Sequence, residues 1–433
     1  MSYLDCWDHL LYIPVETKVD LRRMRVQDND NHARHWVAVW TAMPQVTEPD
    51  NLPMASGNGD IFADKTLRQT LKLSLDTDKL RIRISNAFGL GKLSIVSMTV
   101  ARPAPEYTAS GSPKVECGSM RTVTFGGRRG ITIPDAALAI SDEVTIEVLA
   151  GESITVSMYL AESPDPAGVT GHPGSRTTSW LAPGDQTQSP DLNGERQAVD
   201  HWYFLSTIES HLSRDRCAFV LVGDSITDGR CSTTNGNDRW PDLLSRRMQS
   251  SRFAKSIAVV NQGAGGNRLL LDGLGPNAWS RIMRDVIGQP GVRYALIFEG
   301  VNDIGTAADT TQAQEAVYNE MITAYQQMIA QIRAHDIVCF GATILPFSAK
   351  TRASQPYSSP LRNQTRVKIN QWILDSGAFD YVVDFASALA KPANSSELDS
   401  LYDSGDFLHP NVAGFQKLAE SFDIEAFERC QRP

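Results

Sequence analysis

The chain has 433 residues, 42% of them hydrophobic and 21% charged, and a net charge of −9. That is more chain than one ordinary core absorbs, and the composition is that of a globular protein, so two folded domains are expected. The negative balance argues against a nucleic-acid partner, because phosphate binding needs concentrated Lys and Arg; Arg128-Arg129 and Arg246-Arg247 are too short to be basic patches.

Residues 1–8 lack the basic and apolar regions of a secretory signal, so a cytoplasmic location is expected, with secretion as the alternative. No segment has the length and apolarity of a membrane span. Cys6, Cys117, Cys217, Cys231, Cys339 and Cys430 follow no metal or disulfide-framework spacing, so neither a metal nor a cofactor is expected. Cys339, inside Ile337-Val338-Cys339-Phe340, reads as a small core residue.

Residues 1–35 read as an N-terminal extension. From 36 to 210 the pattern has period two. Leu67, Leu71, Leu73 and Leu75 alternate with polar neighbours, and so do Leu80, Ile82 and Ile84. Val144, Ile146 and Val148 repeat the pattern, as do Ile154, Val156, Met158 and Leu160. Short alternating strands with no helix between them predict an antiparallel β-sandwich, jelly-roll-like in type. Residues 161–198, rich in Pro, Gly, Ser and Thr, read as long loops at the domain junction.

From 211 to 433 the period changes. Apolar runs at 218–222, 257–260, 294–298, 337–343 and 381–385 alternate with helical stretches. The clearest helix spans 312–335, with Ala316, Met321, Tyr325, Met328, Ile329 and Ile332 at helical spacing. Strands alternating with helices predict a parallel three-layer α/β/α domain.

The chemistry-bearing residues stand where these strands end. Gly223-Asp224-Ser225 follows the 218–222 run, at the sheet edge where open α/β folds bind ligands, so Ser225 is placed to be a nucleophile. Gly263-Ala264-Gly265-Gly266-Asn267 follows the next strand; glycines turn the backbone sharply and present its N–H groups, as an oxyanion hole requires. This loop lacks the spacing of a dinucleotide site. Asn302, in Gly300-Val301-Asn302-Asp303, can aim its amide at an oxyanion or simply close an Asx-turn. Asp406 and His409 lie on one turn, so the carboxylate can hold the ring tautomer while the other nitrogen faces the serine. They make a poor metal site, since no further ligand follows at suitable spacing. His172, in Thr170-Gly171-His172-Pro173-Gly174, reads as a surface-loop residue, with lining of the substrate mouth as the other reading.

Taken in chain order, these four blocks closely resemble those of the SGNH (GDSL-type) hydrolase superfamily, over about residues 217–428. The resemblance implies a flavodoxin-like domain with Ser225 as nucleophile, His409 as base and Asp406 orienting it. It implies an oxyanion hole from the Ser225 and Gly266 N–H groups and the Asn302 amide. Trp36–Trp40, Thr66–Gln69 and Arg83–Gly89 look like the β-domain ahead of some SGNH esterases, a branch similar to arylesterases and xylan-esterase-like acylhydrolases. Asp224, Trp240 and Asn267 are the candidate substrate-binding residues. Trp240, Trp279 and the polar 231–239 loop point to short acyl groups on a saccharide or aromatic alcohol. Two other functions remain open: an acyltransferase using the same Ser-His-Asp site, and a carbohydrate-binding protein with an idle hydrolase domain.

Overall fold

The computed structural model describes residues 33–55, 60–105 and 110–430. The expected extension at 1–35, with Cys6, His9 and His32, therefore lies almost wholly outside the described residues. From Arg34 onward the chain forms one unit.

The period-two region folds as antiparallel sheets. One orders the strands Arg34–Thr41, Leu205–Ser213, Thr77–Ser85 and Val144–Val148, with Leu138–Ile140 also paired to Thr77–Ser85. A second orders Gln197–Val199, Ser179–Pro183, Lys65–Lys72, Ser153–Leu160, Ser97–Ala101 and Arg121–Thr122. The apolar sets expected to face inward are buried, from Leu67 and Leu71 through Ile82 to Val156 and Met158.

The strand Lys65–Lys72 departs from simple alternation, because its polar face is buried too: Thr66, Arg68 and Thr70 are all inaccessible. Loop segments roof that face. Arg68 donates from Nε to Ser157 Oγ (2.9 Å), from Nη1 to Pro113 O (2.5 Å) and from Nη2 to Ser189 O (2.7 Å). Burial pushes its guanidinium down to about 10. Much of the 161–198 region is thus a structural cover, and it adds the short strands Thr170–His172, Ser179–Pro183 and Gln197–Val199.

The second region has a five-stranded parallel sheet with strands Cys217–Gly223, Ile257–Gly263, Val292–Phe298, Val338–Ala342 and Tyr381–Val383. Numbered in chain order they lie 2-1-3-4-5, the doubly wound arrangement with its switch point between the first and third strands. Cys217–Gly223 is buried along its whole length, as a central parallel strand should be. The expected long helix is Thr311–Arg333; Met321, Tyr325, Met328, Ile329 and Ile332 are buried, whereas Ala316 is exposed. Cys339 sits in the core.

The antiparallel region leans on one edge of this sheet. Strand Arg34–Thr41 packs against Ile257–Gly263, and Thr41 Oγ1 donates to Asn261 O at 2.8 Å. Ala38 N–H donates to Pro290 O at 2.9 Å. Gly291 takes φ +69° there, and a Cβ would lie 3.0 Å from Trp36 O, so a larger residue would push the two regions apart. Among the described residues no helix is long and apolar enough to cross a membrane.

Candidate active site

Gly223 ends the first strand, and the chain turns at once into the single helical turn Ser225–Asp228. Asp224 caps that turn: its Oδ1 accepts from Ile226 N–H at 2.8 Å. Gly229, at φ +91°, closes it in a conformation that suits glycine. Ser225 is thereby held at the switch point, 7% exposed.

The 403–411 loop meets it from the C-terminal end of the chain. Ser225 Oγ lies 2.8 Å from His409 Nε2, and His409 Nδ1 lies 2.6 Å from Asp406 Oδ2. Asp406 Oδ1 also accepts the backbone N–H of His409 (2.8 Å) and of Leu408 (3.0 Å). Phe407, between Asp406 and Leu408, takes φ +61°, and its N–H donates to Asp403 Oδ1 at 3.0 Å. Burial raises the Asp406 carboxyl, but the ring and backbone hydrogen bonds outweigh it and hold the group well below the usual carboxylate range. An ionised Asp406 fixes the proton on Nδ1 and leaves Nε2 able to accept the serine proton.

The other two blocks converge on the same edge. Gly300, at φ +114°, opens the helix Val301–Thr306 and sets Asn302 in its first turn. Asn302 Nδ2 donates to Asn267 O at 2.8 Å, and its Oδ1 accepts from Tyr357 O–H at 3.0 Å. Because the amide nitrogen carries two hydrogens, one N–H remains for a ligand oxygen. Gly266 adopts φ +68° in the loop that ends at Asn267.

Three substrate-facing expectations require correction. Trp240 is fully buried; its ring packs edge-on against Phe385 (5.4 Å) and Phe298 (6.4 Å), and its Nε1 donates to Thr227 Oγ1. Trp240 is the first residue of the helix Trp240–Gln249, with Pro241 beside it in the first turn, which turns the ring inward rather than toward a ligand. Asp224 is buried as a helix cap. The Asn267 side chain is spent on the protein: Oδ1 accepts from Arg281 Nη2 at 2.7 Å and Nδ2 donates to Pro276 O at 2.8 Å.

Several organising residues had no local sequence signal. Arg281, 2% exposed, donates to Asn267 and to Gln262 O, and pairs with Asp285 at 3.3 Å and Glu299 at 3.6 Å. Gln355 donates to Asp406 O at 2.7 Å. Tyr357 orients the Asn302 amide, so Tyr357→Phe is expected to keep the fold and lower kcat by about 3–10-fold, the worth of one hydrogen bond; steady-state kinetics with thermal melting check this.

Beneath the site lies a buried acidic group. Burial, with the charges of Asp303 and Asp228 adding to it, pushes the Asp224 carboxyl up to about 7. Burial raises Asp303 to about 6, against the N–H bonds from Leu269 and Leu270. Burial and then the Asp224 charge push Glu299 well above its ordinary value, against the Arg281 charge and the Gly300 backbone N–H. A raised folded-state value means the fold holds protons that the unfolded chain has released. The contribution of Asp224 is therefore full below about pH 4 and is lost as pH rises through about 7. Asp224→Asn keeps the cap and removes the charge, so its melting temperature should fall less than that of the wild type between pH 5 and pH 8. Parallel melts at the two pH values check this.

Among the described residues no group of His, Cys, Asp and Glu is arranged to hold a metal ion. A search of curated proteins gives no match. The chain is similar to several solved structures. A G-D-S-L family protein from Desulfitobacterium hafniense is 21% identical, with 48% of this chain and 97% of that one covered and a TM-score of 0.36. A GDSL-like lipase from Bacteroides thetaiotaomicron is 16% identical, with 49% and 88% covered and a TM-score of 0.35. An acetyl xylan esterase from Geobacillus stearothermophilus is 21% identical, with 48% and 94% covered and a TM-score of 0.35. The model of the GDSL-like lipase/acylhydrolase family matches residues 221–417, so the chain carries a segment similar to that family of hydrolases.

Proposed function

We propose that the protein is a serine esterase that cleaves short-acyl carboxylic esters through an acyl-enzyme on Ser225. The reading rests above all on the continuous run from Ser225 Oγ through the His409 ring to the Asp406 carboxylate, at 2.8 and 2.6 Å. His409 Nε2 takes the hydroxyl proton as Oγ attacks the ester carbonyl. The tetrahedral oxyanion is met by the backbone N–H groups of Ser225 and Gly266 and by the free Asn302 N–H. His409 returns its proton to the departing alcohol, and water, deprotonated by the same ring, then releases the acid.

Beside the oxyanion loops lies a cavity of about 520 Å³ lined by Arg268, Leu270, Trp279, Asp303 and Thr306 among others. The Trp279 ring, with polar side chains such as Arg268 and Thr306 in the same lining, suits a sugar or aromatic alcohol as the leaving group. With Trp240 in the core, Trp279 is the aromatic that carries this part of the reading. A series of p-nitrophenyl esters tests the acyl side: kcat/KM should be highest for acetate or propionate and fall with chain length, and a preference for octanoate would defeat the short-acyl assignment.

A further inference from the structure

The catalytic-domain residue Asp228 and the first-region residue His172 form a buried pair across the two regions. His172 Nε2 lies 2.9 Å from Asp228 Oδ1, with the two side chains 5% and 2% exposed. His172 Nδ1 lies 3.0 Å from Met43 O. A carbonyl only accepts, so Nδ1 carries a proton, and Nε2 then meets the carboxylate across one shared proton. The His172 ring stacks on Trp202 at 5.8 Å, which fixes its plane.

Asp228 is the last residue of the single turn that begins with Ser225, and its N–H donates to Asp224 O at 2.9 Å. It also touches the glycine loop: a Cβ on Gly263 would lie 2.6 Å from Asp228 N, and one on Gly265 would lie 3.8 Å from Asp228 Oδ2. On the other side, a Cβ on Gly174 would lie 1.7 Å from Asp228 Oδ2, so the chain after His172 closes directly over the carboxylate. The Asp224 carboxyl and the Arg239 guanidinium also lie close to Asp228, and the guanidinium is itself paired with Asp242 at 2.7 Å.

We propose that His172 is a positioning residue of the active site, which through Asp228 fixes both the turn carrying Ser225 and the glycine loop carrying Gly266. This rests on the esterase reading above. The hydrolase domain would then depend on the antiparallel region for the alignment of its nucleophile as well as for packing. An error of about 1 Å in such alignment costs about 10²-fold in rate.

The test is kcat and KM for p-nitrophenyl acetate with the full-length protein. His172→Phe keeps the ring and its stacking but loses both polar contacts; it should lower kcat by about 10²-fold with KM little changed. His172→Gln, which can still donate to Asp228, should recover most of that loss. Asp228→Ala, which can neither accept from nor donate to the ring, should match His172→Phe, and the double variant should be no worse than either single one, because all three break the same link. If His172→Phe fails to fold, Asp228→Ala and His172→Gln carry the comparison. Wild-type kcat in the folded single variants, or losses that multiply in the double variant, would overturn the assignment. The esterase reading fails separately, if wild type does not hydrolyse the ester or Ser225→Ala still does.

Discussion

Ser225→Ala is expected to abolish ester turnover while leaving the fold unchanged. The substitution removes one oxygen, and the turn around it is held by other groups: Asp224 caps it, and Gly229 and Arg230 N–H both donate to the carbonyl of residue 225. The helical turn therefore needs nothing from the hydroxyl. The chemistry needs all of it, because Ser225 Oγ is the oxygen that stands 2.8 Å from His409 Nε2, on the ring whose Nδ1 meets Asp406. Loss of a serine nucleophile of this kind costs about 10⁶ in kcat. Progress curves with p-nitrophenyl acetate and a thermal melt, run side by side, separate lost chemistry from lost folding.

Asp406→Asn is expected to lower kcat by about 10⁴-fold with KM and stability little changed. An asparagine oxygen can still accept the His409 and Leu408 backbone N–H groups, so the 403–411 loop keeps its shape. The amide nitrogen then faces His409 Nδ1 as a donor. The ring proton is driven to Nε2, where it points at Ser225 Oγ and cannot accept the hydroxyl proton. A loss in kcat with no shift in KM is the signature of that tautomer change. A variant within tenfold of wild type would show that Asp406 does not orient the ring.

What the sequence made legible was whatever is written locally. Each block lies at the end of an apolar run, so strand position alone carries Ser225, the glycine loop and Asn302 to one sheet edge, and the short spacing of Asp406 and His409 puts both on one turn. The alternating leucines and valines of 67–160 likewise announced antiparallel sheets. Residues that act through tertiary paths were not legible. Tyr357, Gln355 and Arg281 reach the site from segments 14 to 55 positions away in the chain from the residues they hold, and nothing in their own neighbourhood marks them. His172 read as a surface loop because only the packing of two regions buries it. Trp240 failed for the opposite reason: a tryptophan beside a polar loop resembles a stacking platform, yet the helix that starts at this position turns it into the core.

The central claim is that Ser225 is an activated nucleophile, and covalent labelling tests it most directly. Wild-type protein treated with a fluorophosphonate and digested should carry one adduct, on the peptide containing Ser225, and the Ser225→Ala protein should carry none. An unlabelled wild-type protein, or an adduct on another residue that persists in Ser225→Ala, would contradict the account.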